Sequence, residues 1–359
     1  MGQDLLLVII GMVIIIGGAD YVTSGAESIA RRFNVSPTVI GLTIVAFGSS
    51  MPDFVVGLTS TLRGHSGLAI GDVIGANSFD LLLAVGILAL IRPMYIGRTM
   101  ATGNMLLLAI SGVVLFICGD DTLFDNAPTN MIDRSDGLVF LAFFALFCSL
   151  TMAISHNGSQ VTTDPRKAPL EDDLASDARN LVTYKLQSFA MKHVRQTVKG
   201  TIILPKPPSL TVPFFYIVGG IAALAVGGNW LVDGASGIAV KAGMSEALVG
   251  ITIVALGSSL PDLTSSVVAA LKNDPGLAFG NIVGASIFNV FFMLGFCGTV
   301  KPVDASGVTT IDFITVAGAG ILVYAMVMFS RKRKISRTEG AILASLYVAY
   351  IVYRVVTIA

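Results

Sequence analysis

Short polar loops cut this chain into ten apolar runs, each near the ~20 residues that a helix needs to cross the hydrocarbon of a bilayer. The runs lie at about 4–30, 37–62, 68–91, 101–118, 137–155, 213–240, 246–271, 276–298, 308–329 and 338–356. A backbone in lipid must satisfy its own hydrogen bonds, so a series of such runs folds as a bundle of membrane-spanning helices. Composition agrees, with 54% of the 359 residues hydrophobic and only 13% charged. A soluble domain carries about 25% charged residues. The expected fold class is therefore an all-α polytopic membrane protein with ten transmembrane helices. The run Leu5–Ile16 follows Asp4 and no basic segment, and apolar character continues past Gly17, so it reads as the first helix and not as a signal peptide.

A net charge of zero offers nucleic acid nothing to hold. Cys118, Cys148 and Cys297 stand singly inside apolar runs, without metal spacing or a disulfide framework. No cofactor and no obligatory protein partner are expected; the partners are inorganic cations and the lipid bilayer. Basic residues orient the chain. With the N-terminus outside, 18 of the 23 Lys and Arg fall in inside loops, and Arg63, Arg134, Lys241, Lys301 and Arg354 remain outside. Because inside loops gather basic residues, the N-terminus is expected outside a cell or plasma membrane and the polar stretch 156–212 in the cytoplasm. Within that stretch Leu174, Ala178, Leu181, Leu186, Phe189 and Val194 fit an amphipathic helix on the inner membrane surface. A solvated linker fits equally well.

The two halves of the chain are copies. Gly41–Asp53 reads GLTIVAFGSSMPD and Gly250–Asp262 reads GITIVALGSSLPD, with ten of 13 positions identical at an offset of 209. Upstream, Gly18, Gly25 and Ala26 match Gly227, Gly234 and Ala235. Downstream, GDVIGANSFD (71–80) faces GNIVGASIFN (280–289), pairing Asp72 with Asn281 and Asp80 with Asn289. Five spans per copy is an odd number, so the second copy enters the membrane in the opposite sense. The expected organisation is a first repeat at 1–155, a loop at 156–212 and an inverted second repeat at 213–359. Inverted repeats are the build of secondary transporters, whose sites lie near the midplane between the copies.

The repeated motif also supplies the chemistry of a site. Pro52 and Pro261 lack an N–H and crowd the carbonyls of Gly48 and Gly257, which predicts broken helices there. Carbonyls near Ala46 and Ala255 are then freed as ligands. Ser49, Ser50, Ser258 and Ser259 add hydroxyls, Asp53 and Asp262 add charge, and Asp80 and Asn289 fall at matching depth in the third and eighth spans. Such mixed oxygen shells suit hard divalent cations. No Lys or Arg lies deep in an apolar run, whereas Asp20, Asp53, Asp80, Asp233 and Asp262 do. Unpaired carboxylates in a membrane cost several kcal/mol and imply bound cations or protons.

At these motifs the sequence resembles the cation/calcium exchanger superfamily, most closely its sodium/calcium exchanger branch, over essentially the whole chain outside 156–212. The resemblance implies a core of helices 2, 3, 7 and 8 with a gating pair, helices 1 and 6, that slides across it. It implies ion-binding carboxylates at Asp53 and Asp262 and backbone and hydroxyl ligands at Ala46, Ser49, Ser50, Ala255, Ser258 and Ser259. It implies helix-3 and helix-8 ligands at Asp80 and Asn289. The activity implied is antiport of Ca²⁺ against Na⁺ by alternating access, without enzymatic chemistry. The chain departs from the branch in three ways. Asp stands at 53 and 262 where Glu is common. Ala76 and Ala285 stand where Ser is typical. The Asn of helix 3 and Asp of helix 8 found in archaeal relatives are reversed as Asp80 and Asn289. Loss of two hydroxyls keeps H⁺ open as the counter-ion, and Mg²⁺ or Mn²⁺ remain open as cargo.

For Asp53 and Asp262 a merely structural carboxylate is the plainer alternative, and their duplicated Gly-Ser-Ser-x-Pro frame argues against it. Asp72 reads as a helix cap or a support behind the ligands. Asp20 and Asp233 mark polar breaks that line an ion path or, equally well, make polar contacts between helices; Asn77 and Ser286 mark the site periphery, and His65, His156 and His193 solvated loops. A divalent cation channel and an intramembrane aspartyl protease are the alternatives from other classes. Gly71–Asp72 matches part of the protease GxGD pattern, but residue 69 is Ala69.

Overall fold

The apolar runs fold as helices whose ends sit where the sequence supplies caps. The computed structural model describes residues 1–32, 48, 50–96, 103–158, 211–271, 275–330 and 333–357. Among these, ten longer helical elements follow in order: α1 (Gly2–Arg32), α2 (Met51–Arg63), α3 (Ser66–Ile91), α4 (Asn104–Gly119), α5 (Arg134–Gly158), α6 (Thr211–Ala242), α7 (246–271), α8 (275–300), α9 (Thr310–Phe329) and α10 (Arg337–Val356). Ser336 starts α10 with a capping box, its backbone N–H donating to Glu339 Oε2 at 2.6 Å while its hydroxyl accepts from the Glu339 N–H. Thr309 and Asp312 do the same for α9. Gly64, at φ +84°, ends α2 and turns the chain into α3.

Eight of these helices are long and apolar enough to cross a membrane. The other two are α4, 16 residues long, and the described part of α2, 13 residues. The span expected at 37–62 therefore lies partly outside the described residues, as does the amphipathic segment expected within 156–212. Residues Met1–Met152 and Leu210–Ala359 form one compact unit.

Helices α1 and α6 pack as an antiparallel ribbon. Glycines recur every seven residues, at Gly11, Gly18 and Gly25 on one and Gly220, Gly227 and Gly234 on the other. Gly11 faces Gly227, Gly18 faces Gly220, and Gly25 faces Pro213, so one number falls as the other rises. A Cβ on Gly11 would lie 2.7 Å from the Leu231 backbone nitrogen. Small residues at this spacing let two membrane helices approach to backbone contact.

Short strands tie the copies together. β1 (Met94–Tyr95) after α3, β2 (Met131–Ile132) before α5, β3 (Val303–Asp304) after α8 and β4 (Lys334–Ile335) before α10 form two antiparallel pairs, β1 with β4 and β2 with β3. The buried core runs through α3 and α8, around Ile70, Ile74, Phe279 and Phe291. On the outer surface of the described residues, Phe214, Phe215 and Ile221 of α6 and Phe329 of α9 are exposed.

The break expected at Pro52 is present, with Ser50 in a turn and a helix starting at Met51, whereas the break expected at Pro261 is not. Pro52 lies in the first turn of α2, and Pro261 sits inside the continuous helix Ala255–Leu271. The irregularities are π turns, at Phe79–Ala84 in α3, Gly250–Val254 in α7 and Asn289–Leu294 in α8. Each squeezes an extra residue into a turn, loosens the local backbone ladder and re-aims the side chains, which is why such turns gather at functional sites.

Candidate cation site

Close helix packing assembles the site. Gly71 and Gly75 of α3 lie against the backbone of α7 at Ala247 and Ile251, and a Cβ on Gly250 would meet the Leu68 carbonyl oxygen at 2.8 Å. With no side chains between them, α3 and α7 bring their polar positions together. The π turns of α3 and α8 carry Asp80 and Asn289.

The expected pair lies inside the protein and together: Asp53 and Asp262 are 3% and 4% exposed, and Asp262 stands within reach of the Asp53 charge. Asn289 Nδ2 donates to Asp53 Oδ2 at 2.9 Å. Asn281 Nδ2 donates to Asp262 Oδ1 at 3.4 Å and to Ser266 Oγ at 3.5 Å. Ser258 donates to Asp72 Oδ1 at 3.0 Å, lies 3.3 Å from the Ala255 carbonyl oxygen, and also borders Asp53. Ser50 and Ser259 are buried close by in sequence, and Ala255 is fully buried. Ala46 and Ser49 lie outside the described residues.

Asp80 is the most exacting member. It is 1% exposed, and neither carboxylate oxygen has a hydrogen-bond partner among the described residues. The charges that bear on it are those of Asp262, Asp53 and Asp72. Asp53 Oδ1, Asn289 Oδ1 and Ser259 Oγ are likewise buried without partners among the described residues. Buried polar atoms are nearly always bonded, so a cluster of bare acceptors marks a place for a cation or a proton. No three Asp, Glu, His or Cys side chains among the described residues close into a compact metal cage. The acids are instead spaced by amides and hydroxyls, the mixed shell a hard cation accepts.

Several readings of single residues change. Asp72 is no cap: α3 begins at Ser66, and Asp72 lies in its second turn, fully buried. His65 is not solvated but half-buried, its Nδ1 2.6 Å from Glu246 Oε1. Arg354, assigned to an outer loop by charge, is 2% exposed, with its Nε 3.0 Å from Asp312 Oδ1; the Tyr350 hydroxyl donates to that same oxygen at 2.7 Å. These pairings join residues far apart in sequence, and no local motif points to them. Asp233 takes a polar contact, with Arg63, while Asp20 is exposed. Asn77 and Ser286 are buried. His156 falls at the end of α5, and His193 is outside the described residues. The three cysteines are free thiols.

Comparison with known proteins places this geometry. The family model described as sodium/calcium exchanger protein matches residues 4–153 and 212–356. The chain is 32% identical over 347 residues to the putative antiporter CaxA of Alkalimonas amylolytica, covering 96% of both chains. It is 27% identical over 369 residues to the sodium/calcium exchanger MaX1 of Methanosarcina acetivorans, covering 97% of both. Its fold matches the solved sodium-calcium exchanger NCX_Mj with a TM-score of 0.56 and 24% identity, covering 98% of each chain. The family is one of transporters and not of enzymes. The chain belongs to the sodium/calcium exchanger protein family.

Proposed function

We propose that this protein is a secondary antiporter that carries Ca²⁺ against Na⁺ by alternating access, with the ions held by Asp53, Asp262, Asp80 and Asn289. Ser50, Ser258, Ser259 and the Ala255 carbonyl complete the shell, together with Ser49 and Ala46. One observation carries the reading: Asp80 is buried, neither of its oxygens is hydrogen-bonded among the described residues, and the charges that bear on it are further carboxylates. Two like charges a few Å apart in a low-dielectric interior repel by several kcal/mol. A divalent cation removes that penalty. When it leaves, Na⁺ ions replace it. The filled site can cross the membrane's midplane between its two openings; the bare, charged one cannot. Shared occupancy of one acidic site by competing ions is what makes the movement an exchange.

The ribbon of α1 and α6 is the moving part in this reading. It touches the core through glycines, with Gly48 against Thr23 of α1, Gly257 against Met12 of α1, and Gly228 of α6 against Thr59. Smooth contacts of this kind permit sliding. The chain crosses the membrane ten times, with repeats at 1–155 and 213–359. Its basic loops put the N-terminus outside the cell membrane and 156–212 in the cytoplasm.

The test is ⁴⁵Ca²⁺ uptake into proteoliposomes, driven in one arm by a Na⁺ gradient and in another by a pH gradient, with Mg²⁺ and Mn²⁺ as competitors. Na⁺-driven uptake that saturates is the expected result; uptake driven only by the pH gradient would replace Na⁺ with H⁺. Asp53→Asn and Asp262→Asn should each abolish uptake in folded protein. Retained uptake in either would remove that residue from the site.

A further inference from the structure

The ribbon meets the core at a polar junction that the ion site does not use. His65 stands in the turn between α2 and α3, where its backbone N–H donates to the Ser60 carbonyl oxygen at 2.8 Å. Its Nδ1 lies 2.6 Å from Glu246 Oε1, at the start of α7. Ser236 of α6 donates to the same carboxylate oxygen at 3.2 Å, and its hydroxyl lies 3.4 Å from Nδ1. Three side chains thus join the α2–α3 turn, α7 and the ribbon at one point. Close packing holds Glu246 there, since a Cβ on Gly67 would lie 3.2 Å from the Glu246 Cβ.

The donor and acceptor roles follow from the chemistry. An ionised carboxylate oxygen only accepts, so the imidazole hydrogen sits on Nδ1, and Nε2 is the atom left to take a second proton. The His65 and Glu246 side chains are each 31% exposed, so solvent reaches them. A proton on Nε2 turns the bond to Glu246 into a charge-assisted one, roughly twice as strong. Other charged groups surround the turn. Arg63 of α2 is paired with Asp233 of α6. Lys301, after α8, places its Nζ 3.7 Å from where a Gly64 Cβ would stand. Asp304 of β3 accepts at its side chain from the Ser306 N–H and donates its own N–H to Ser66 Oγ. Among the described residues, Glu246 is the charge in direct contact with the ring.

The second copy lacks this device. At the offset of 209, the counterparts of His65, Ser236 and Glu246 are Asp274, Glu27 and Pro37. Two acids and a proline cannot make the same junction, so one end of the ribbon's travel is held in a way that the other is not.

We propose that His65, Glu246 and Ser236 are positioning residues for exchange, a latch that ties the ribbon to the core at one end of its travel and tightens when His65 takes a proton. The inference rests on the exchange reading above and extends it to control of the rate. The closed latch holds the proton more firmly than the open one, because only the closed latch keeps Glu246 against the ring. A falling pH therefore favours the closed latch over the range in which histidine titrates, about pH 5 to 8. Exchange slows as the ribbon is detained.

The test compares full-length wild type with His65→Gln in proteoliposomes, at equal pH on both sides, from about pH 8 down to about pH 5.5. The ratio of their Na⁺-driven ⁴⁵Ca²⁺ uptake rates cancels the pH response of the ion site that both share. Relative to His65→Gln, wild type should slow by about two- to fivefold between the alkaline and the acid end, the range for a half-exposed charged pair. His65→Lys, charged at every pH used, should be slow throughout. In a Glu246→Gln background, His65→Gln should leave the pH profile unchanged. A merely structural junction would alter the rate by the same factor at every pH. A second readout needs no transport: spin labels at Leu62→Cys of α2 and Val240→Cys of α6, both exposed positions, in a chain carrying Cys118→Ala, Cys148→Ala and Cys297→Ala. Acid should narrow the distribution of distances between the labels when His65 is present and not in His65→Gln. The proposal fails if the two uptake profiles superimpose, or if the two distance distributions respond alike to acid. Distances that respond through His65 in a protein that carries no Ca²⁺ would keep the latch and sink the exchange reading.

Discussion

The first copy of the site frame carries acids where the second carries amides. Asp72 and Asp80 on α3 correspond to Asn281 and Asn289 on α8. The amides satisfy their neighbours, Asn289 serving Asp53 at 2.9 Å and Asn281 serving Asp262 at 3.4 Å. The acids do not: among the described residues Asp80 has two oxygens without a hydrogen-bond partner and Asp72 one. One backbone frame, used twice in opposite senses, thus holds a supporting side and a charged side. Where the copies align at α3 and α8, a π turn carries each site residue, and substitution at near-isosteric positions sets the charge. Charge can then be moved across the pseudo-two-fold with little cost to folding, which makes the comparison open to experiment.

The largest effect should follow from making the two sides alike. Asp80→Asn converts the α3 position to its α8 counterpart. Losing a charged ligand in a desolvated site costs about 2–5 kcal/mol, so Na⁺-driven Ca²⁺ uptake should fall by about a hundredfold or more. Thermal stability in detergent should hold or rise, because a bare buried acid has gone. Adding Asn289→Asp moves the charge to the other copy and should restore part of the uptake. A single variant with wild-type uptake, or a double variant no better than the single, would end the equivalence of the two positions.

A second asymmetry lies in the outer hairpins. Helices α9 and α10 are clamped by Asp312 and Arg354, 0% and 3% exposed at their side chains, whereas no ion pair joins α4 to α5 among the described residues. Breaking a buried pair leaves a bare charge and costs about 3–5 kcal/mol. Arg354→Met should therefore lower the thermal midpoint strongly, and adding Asp312→Asn should recover much of the loss. If Arg354→Met melts like wild type, the clamp is not a source of stability.

The same two sides explain what could be read ahead of the structure. The duplication, the apolar runs and the buried acids of the two motifs are local patterns, and eight of the ten expected spans appear at full length among the described residues. Asp80 and Asn289 were found because their offset from the motif is constant in both copies. The π turns that aim them were not, since an extra residue in a turn leaves no mark in apolar periodicity. Of the two readings of Asp72, the cap fails because α3 begins six residues earlier, and the support behind the ligands fits its contact with Ser258 of α7, which only the meeting of α3 with α7 reveals. His65 with Glu246 and Arg354 with Asp312 are tertiary pairings, set by which helices meet and not by any spacing along the chain.

The α1–α6 ribbon offers a comparison between neighbouring glycines. A Cβ at Gly11 would strike the α6 backbone at 2.7 Å, while at Gly17 it would meet nothing within 4 Å. Overpacking costs about 1–3 kcal/mol, whereas Gly→Ala in an open helix position gains about 0.5–1 kcal/mol. Gly11→Ala should lower stability and slow Ca²⁺ uptake, and Gly17→Ala should do neither. Equal behaviour of the two would mean that the glycine face does not set the approach of the helices.

The smallest effect belongs to the surface contact between core and ribbon. Arg63 at the end of α2 pairs with Asp233 of α6, with side chains 34% and 49% exposed. Solvent screens such a pair, so it is worth about 0–1 kcal/mol. Arg63→Gln should leave the thermal midpoint nearly unchanged. Because the pair bridges a core helix to the ribbon, it would have to break for the ribbon to slide, and the uptake rate is the sharper reading. A rate that rises modestly at unchanged stability identifies the pair as a latch on one end state. An unchanged rate assigns it to the surface alone, and leaves the sliding contact to the glycines.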